Sequence, residues 1–496
     1  MTTPDPRPVS MVVDHRFHPG GIAVLAGVFA AALVAVIGWQ GPVVALAGLG
    51  AVGVVAVLTR RASVAIAVPL LAAPVALREL PGAQGAQVVH VLVVAVLAVV
   101  ALQAARGRLP APPASVYAGI VFVLALLVAT VGSVDPFRGL KVSVNHLLGL
   151  LLCVAAAMVA RHSHAWLREV LRLWTLASLA VVLPNLPQAA AGGSRFGGSI
   201  VTERALGVFS QPNDFGEFSL FCIGAAFALF VAAERRVDRI IGVVGLLAGT
   251  AALALSFSRG SWIGAAAMVV LVGILAPRLV RGIAAVVVTG GALASVAAAF
   301  SVPPFATLAA RLATLAGGVP NPEDDRAIIY AEAIRLWLLH PVLGQGPGTF
   351  ADVAGTPEAL LVRRPYIHAH SIPLDIAAEM GFAGVIALLV VTGVSVVAVL
   401  RALRRLGRRA SDPAARRERT TLAVLAALLG GVAVHGLIDV VYTNPFLIMV
   451  AWTMLGLVLG AAARAGTPPA DPDGPRAGPE RADQVPAAVR GVTVPG

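Results

Sequence analysis

The sequence predicts an all-α, polytopic membrane protein, and three observations carry that prediction. Of 496 residues, 58% are hydrophobic and 12% charged, with a mean hydropathy of +0.88. Soluble domains carry about a quarter charged residues and have no interior able to hide so much apolar surface. Apolar runs of about 17 to 25 residues recur from end to end, each long enough to cross a hydrocarbon core about 30 Å thick. Arginines also alternate from loop to loop between the runs, the pattern that membrane topology imposes.

Taken in order, about fourteen spans fall near 21–38, 42–58, 62–77, 87–104, 114–132, 140–160, 165–184, 214–233, 239–257, 260–277, 282–299, 373–400, 420–441 and 444–463. The third and tenth are short, which makes the expected range 12–14. The first run is followed by more of the same, so it reads as a span and not as a cleavable signal peptide. With the N-terminus cytoplasmic, Arg60, Arg61, Arg106, Arg108, Arg161, Arg235, Arg236, Arg239, Arg278 and Arg281 fall on one side. The stretch "RALRRLGRRASDPAARRER" after residue 400 falls there too. The net charge of +12 therefore reads as topology, with no nucleic-acid partner. Cys153 and Cys222 lie inside apolar runs and imply no disulfide framework.

The expected organisation is a cytoplasmic segment over 1–20, N-terminal spans over 21–184, a second membrane domain with long loops over 185–463 and a tail over 464–496. The tail is rich in Pro, Gly and Ala with no apolar period, and is expected to be disordered and cytoplasmic. Two long loops, 185–213 and 300–372, fall on the opposite, outer side, the second forming a large external region before the last three spans.

Four clusters on that outer side carry the polar chemistry. In "TERALGVFSQPNDFGEF", Asn213 or Asp214 suits a helix N-cap, a role that leaves Arg204 unexplained. In "SFSRGSW", Arg259 sits between two spans with almost no loop, where it either snorkels to the interface or faces a partner. In "DDRAIIYAEAIRLWLLHPVLGQGPGTF", Arg326, Tyr330, Ala333 and Trp337 recur at helical spacing, as on an amphipathic surface helix. Gly344, Gly346 and Gly348 then read as a tight re-entry turn, because no preceding strand or Walker lysine supports a phosphate loop.

The fourth cluster is "HAHSIPLDIAAEMGFAG", residues 368–384. His368 and His370 are two apart and lack the further ligands a zinc site requires, so no metal is expected. Ser371 suits the cap and Pro373 the first turn, which puts His370 at a helix N-terminus that favours anions and a neutral imidazole. Asp375 or Glu379 is then placed to orient the ring; plain polar capping at a membrane surface is the alternative. Isolated arginines beside a neutral histidine suit a pyrophosphate donor and a nucleophilic hydroxyl. That chemistry requires no cofactor.

These segments resemble the O-antigen ligase and O-antigen polymerase superfamily of bacterial membrane glycosyltransferases, most specifically over roughly 200–450. "GVFSQPNDFGEF" resembles the family's Asn-Pro-Asn span start, with Gln211 where Asn is common, and "SFSRGSW" its Ser-Arg-Gly segment. The 326–350 stretch, including His340, resembles its Arg…Trp…His-Pro-Leu-Gly-x-Gly-x-Gly-x-Phe signature. His370-Ser371, nine residues and Gly381-x-x-Gly384 match the ligase pattern; "HGLIDVVYTNP", with His435 and Asp439, resembles a late family segment.

The resemblance implies a GT-C type fold and metal-independent, inverting transfer of glycan from an undecaprenyl-diphosphate donor to a hydroxyl acceptor, glycan, lipid or other. It implies His370 as catalytic base, Arg204 and Arg326 as diphosphate-binding residues, and Arg259 as a further contact. Asn213, Asp375, Glu379, His340 and Asp439 are expected to support them. The expected setting is the bacterial cytoplasmic (inner) membrane, with both termini cytoplasmic, membrane lipids as neighbours and the active site on the outer face. A repeat-unit polymerase is the alternative within the superfamily. A transporter or flippase would place polar residues near the bilayer midplane, where this chain has mostly Val, Ala and Leu.

Overall fold

The computed structural model describes residues 62–71, 87–186, 194–196, 199–201, 205–209, 211–302, 305–315, 326–355, 368–440 and 443–466. The first two expected spans and nearly all of the tail lie outside these residues. The described chain is helical apart from a short antiparallel hairpin, β1 (Ser194–Phe196) and β2 (Ser199–Val201), within the first long loop.

The N-terminal helices are α1 (Ala62–Leu71), α2 (Val88–Ala105), α3 (Ala118–Val131), α4 (Pro136–His162) and α5 (His164–Val182). Then follow α6 (Pro212–Ala232), α7 (Arg236–Leu255), α8 (Arg259–Leu275) and α9 (Val280–Ala299). The second long loop contains α10 (Phe305–Leu315), α11 (Arg326–Leu339) and the single turn α12 (Phe350–Val353). The last three are α13 (Ile372–Arg408), α14 (Pro413–His435) and α15 (Pro445–Arg464). Nine helical segments among the described residues are long and apolar enough to cross a membrane, and α8 is a shorter apolar helix. The chain is a multi-pass membrane protein.

Local sequence sets the helix starts. Asp135, Ser163, Ser258, Asp412 and Asn444 each cap a first turn by accepting a backbone N–H, with Pro following at once in α4, α14 and α15. At α6 the cap position is Gln211, so Asn213 and Asp214 lie inside the first turn and not at the cap expected of them. The span expected over 420–441 ends at His435, and residues 436–439 follow it as a hydrogen-bonded turn.

Small residues set the close crossings. A Cβ on Gly456 would fall 2.2 Å from the Cys153 carbonyl oxygen, and one on Gly460 2.2 Å from that of Ala157, so α15 meets α4 backbone to backbone. Gly264 of α8 and Gly431 of α14 approach each other in the same way. Such small-x-x-x-small seams replace the hydrophobic drive that lipid cannot supply between spans. By contrast, α9 buries none of its residues, as a helix surrounded by acyl chains would.

The two ends of the bundle differ. At one end the arginines pair across helices: Arg168 and Arg417 with Glu234, Arg172 with Asp238, and Arg464 with Glu418. At the other end the first turns of α6, α8, α13 and α15 meet the last turn of α14. Asn444 Nδ2 donates to Asp214 at 3.1 Å, and the Ile372 N–H donates to the Gly436 carbonyl at 2.7 Å.

Candidate functional site

His370 lies at that second end, two residues before α13. Its φ of 50° is left-handed, a region costing a non-glycine residue roughly 1–2 kcal/mol unless its surroundings hold it there. Three contacts do so. Tyr330 of α11 donates its hydroxyl to the His370 carbonyl at 3.2 Å. The His370 N–H donates to Nδ1 of His368 at 3.3 Å. The ring nitrogen Nδ1 lies 3.0 Å from Oδ1 of Asp439, which also accepts the Val440 N–H at 2.9 Å.

This corrects the expected orienting carboxylates. Asp375 instead accepts the Ala369 N–H at 2.7 Å, holding the approach to α13. Glu379 accepts the amides of Gly348 and Phe350 at 2.7 and 3.1 Å. Asp439, 69 residues from His370, is the carboxylate that meets the ring. Burial works to raise the Asp439 carboxyl, but the hydrogen bond from His370 and the nearby histidines hold it below the usual carboxylate range. The imidazole is thus tethered at Nδ1, and with 27% of its side chain exposed it is open to an approaching group.

His368 is buried, with its ring centroid 4.2 Å from that of His370. Burial, and then the charge of His370, push its imidazole down to about 4 against the pull of Asp439. His368, His370 and Asp439 offer donor atoms within 4.8 Å of one another. In this arrangement those groups hydrogen-bond to each other and to the backbone.

The glycine motifs form a splice. Gly381 (φ 59°, ψ −154°) breaks α13, freeing the amides of Phe382 and Ala383. These donate to the carbonyls of Pro341 and Val342 at 2.7 and 3.1 Å. In return, Gln345 and Gly346 donate to the carbonyls of Ala378 and Glu379 at 3.0 and 2.9 Å. Gly344, at φ 69°, lies where a Cβ would fall 2.2 Å from the Glu379 backbone. The loop is a turn docked into a helix break, with Glu379 accepting its amides.

Helix α11 packs one face on this splice. Its buried face is Ile329, Glu332, Ala333 and Leu336, set against Phe350, Ala369 and Ala378, so of the expected stripe only Ala333 belongs to that face. Trp337 meets Phe382 with ring centroids 5.1 Å apart. Arg326 begins the helix, within electrostatic range of His435. His340 lies beyond its far end, exposed and roughly 20 Å along the axis from Arg326, so the structure does not bring it to His370.

Arg259 opens α8 beside Gly260, where a Cβ would fall 2.9 Å from Cδ2 of His435. Asn213 lies in the first turn of α6, at the same end. Arg204 is outside the described residues. Glu217 and Ser261 were not singled out from sequence: Ser261 Oγ lies 3.4 Å and Glu217 Oε2 3.5 Å from the two ring nitrogens of His435. The available signal was Glu217 itself, an ionisable residue inside an apolar span.

A carboxylate-held histidine and two arginines thus lie at one end of a bundle of apolar helices. Residues 243–389 match the family model described as O-antigen ligase. The matched segment contains Arg259, Arg326, His340, His370, Asp375 and Glu379, whereas Asn213 and Asp439 lie outside it. No curated protein matches the chain.

Proposed function

We propose that the protein transfers glycan from an undecaprenyl-diphosphate-linked donor to an acceptor hydroxyl on the outer face of the bacterial cytoplasmic membrane. The observation that carries this reading is the His370–Asp439 contact at 3.0 Å. With Nδ1 held by an ionised carboxylate, Nε2 is the basic nitrogen and takes the proton of the attacking hydroxyl. The hydroxyl oxygen attacks the anomeric carbon as its bond to the diphosphate oxygen breaks, inverting the centre. Arg326 and Arg259, with Arg204, hold the diphosphate and stabilise its growing charge. No metal is required for that role.

The donor's tail has an apolar path. A cavity of about 530 Å³, lined by Ile372, Ile376, Leu388, Val391, Leu429 and Trp452, starts at the first turn of α13 and runs along it. The opposite end of the bundle carries the arginine-rich loops, which supports a cytoplasmic assignment for that end and an outer one for the site.

The test is a deletion strain whose lipid-linked intermediates and surface glycans are analysed, complemented with wild type or His370→Ala. Accumulated full-length lipid-linked glycan identifies a ligase, and accumulated single repeats a polymerase. An unchanged glycan profile on deletion rejects both.

A further inference from the structure

Behind the His370–Asp439 contact lies a second carboxylate–imidazole pair, Glu217 and His435. Both side chains are buried, and His435 Nδ1 lies 3.5 Å from Glu217 Oε2. The other ring nitrogen, Nε2, lies 3.4 Å from Ser261 Oγ, and the ring edge rests on Gly260, where a side chain would collide with it. The ring therefore lies between a carboxylate of α6 and a hydroxyl of α8 that is within hydrogen-bond distance.

The backbone of the same residue carries the turn that presents Asp439. The His435 carbonyl accepts the N–H groups of Ile438 and Asp439, both at 3.0 Å. The next carbonyl, that of Gly436, accepts the Ile372 N–H at 2.7 Å, two residues after His370. One anchored side chain thus sets the backbone under both partners of the contact. Glu217 Oε2, His435 Nδ1 and Asp439 Oδ2 are also three buried atoms with no hydrogen bond among the described residues. Buried polar atoms are rarely left so in a segment that only packs.

We infer that Glu217 and His435 are positioning residues, which hold the 436–440 turn so that the Asp439 carboxylate meets Nδ1 of His370. The inference rests on the proposed role of His370. Neither residue touches the reacting atoms; each acts through Asp439. The charged and titratable groups around the pair are Asp214 on α6, Arg259 on α8, Arg326 on α11, His368 and His370 before α13, and Asp439 after α14.

The test reads His370 without any glycan substrate. Full-length protein in lipid nanodiscs is treated with diethylpyrocarbonate across pH, and carbethoxylation at His370 is followed by peptide mass spectrometry. Loss of the carboxylate contact destabilises the imidazolium, so Glu217→Ala is expected to lower the apparent midpoint at His370 by about half a pH unit or more. Glu217→Gln, which keeps an oxygen facing His435, restores most of the wild-type profile. Asp439→Asn gives the same lowering, and Glu217→Ala added to Asp439→Asn gives no further change. Should Glu217→Ala fail to fold, His435→Gln serves in the same cycle.

A wild-type profile in the single variants, or shifts that add in the double variant, would overturn the inference. Glycan transfer is assayed separately in the complemented deletion strain. A cycle that holds while wild type transfers no glycan sinks the proposed reaction and leaves the positioning role standing.

Discussion

Nδ1 of His370 and Oδ1 of Asp439 lie 3.0 Å apart, joining the residue before the cap of α13 to the turn after α14. The contact occupies Nδ1 of the ring. Asp439→Asn keeps the shape and removes the charge, so glycan transfer in the complemented strain is expected to fall by roughly 10²-fold or more at normal membrane levels. Transfer within a few-fold of wild type would reject the orienting role.

Replacing Arg326 by alanine is expected to weaken binding of a diphosphate lipid by about tenfold or more, since one charge-assisted contact is worth roughly 1.5–3 kcal/mol. Binding of fluorescent undecaprenyl diphosphate to nanodisc-held protein measures it. Arg335, already paired with Glu332 at 2.6 Å, is the control whose loss leaves donor binding unchanged.

Stability should depend on pH through His368. Its imidazole is held at about 4 against an ordinary value of 6.5, so the unfolded chain takes up a proton first as pH falls. The stabilisation is therefore complete above about pH 6.5 and is lost as pH falls towards 4, by on the order of 3 kcal/mol. Asp439, also depressed, acts in the same direction at lower pH. In His368→Asn, whose Oδ1 can replace Nδ1 as acceptor, thermal melting between pH 7 and 4.5 should show a shallower pH dependence. An unchanged slope would rule the assignment out.

The splice at Gly381 should be intolerant of any side chain. A Cβ there falls 2.5 Å from the Pro341 carbonyl oxygen, at a φ of 59° that disfavours L-residues. Gly381→Ala is expected to cost at least about 2 kcal/mol. Gly393→Ala, with open space around its Cβ position, should cost nothing measurable in the same melting assay.

Transfer is expected to persist in EDTA. A strict requirement for an added divalent ion would instead direct attention to His368, His370 and Asp439 as ligands.

Much of this protein was legible in one dimension. Hydrophobic run lengths and alternating arginines mark the spans, because a helix in lipid must satisfy its backbone internally and present apolar side chains over a fixed length. Ser371 and Pro373 likewise mark the start of α13, since caps and first-turn prolines act within four residues. The same local logic went astray at Asn213 and Asp214, where Gln211 takes the cap position.

By itself, then, the sequence determined the class of protein, most helix positions and His370 as the residue to watch. Only the tertiary structure decided what serves it. Asp375 and Glu379 were the near carboxylates in sequence, yet they hold backbone amides, while the ring meets Asp439 from 69 residues away. Helix periodicity fixes which side chains share one face of one helix. Which helix ends meet is set by the close crossings of Gly264, Gly431, Gly456 and Gly460, and those exist only once the bundle has packed.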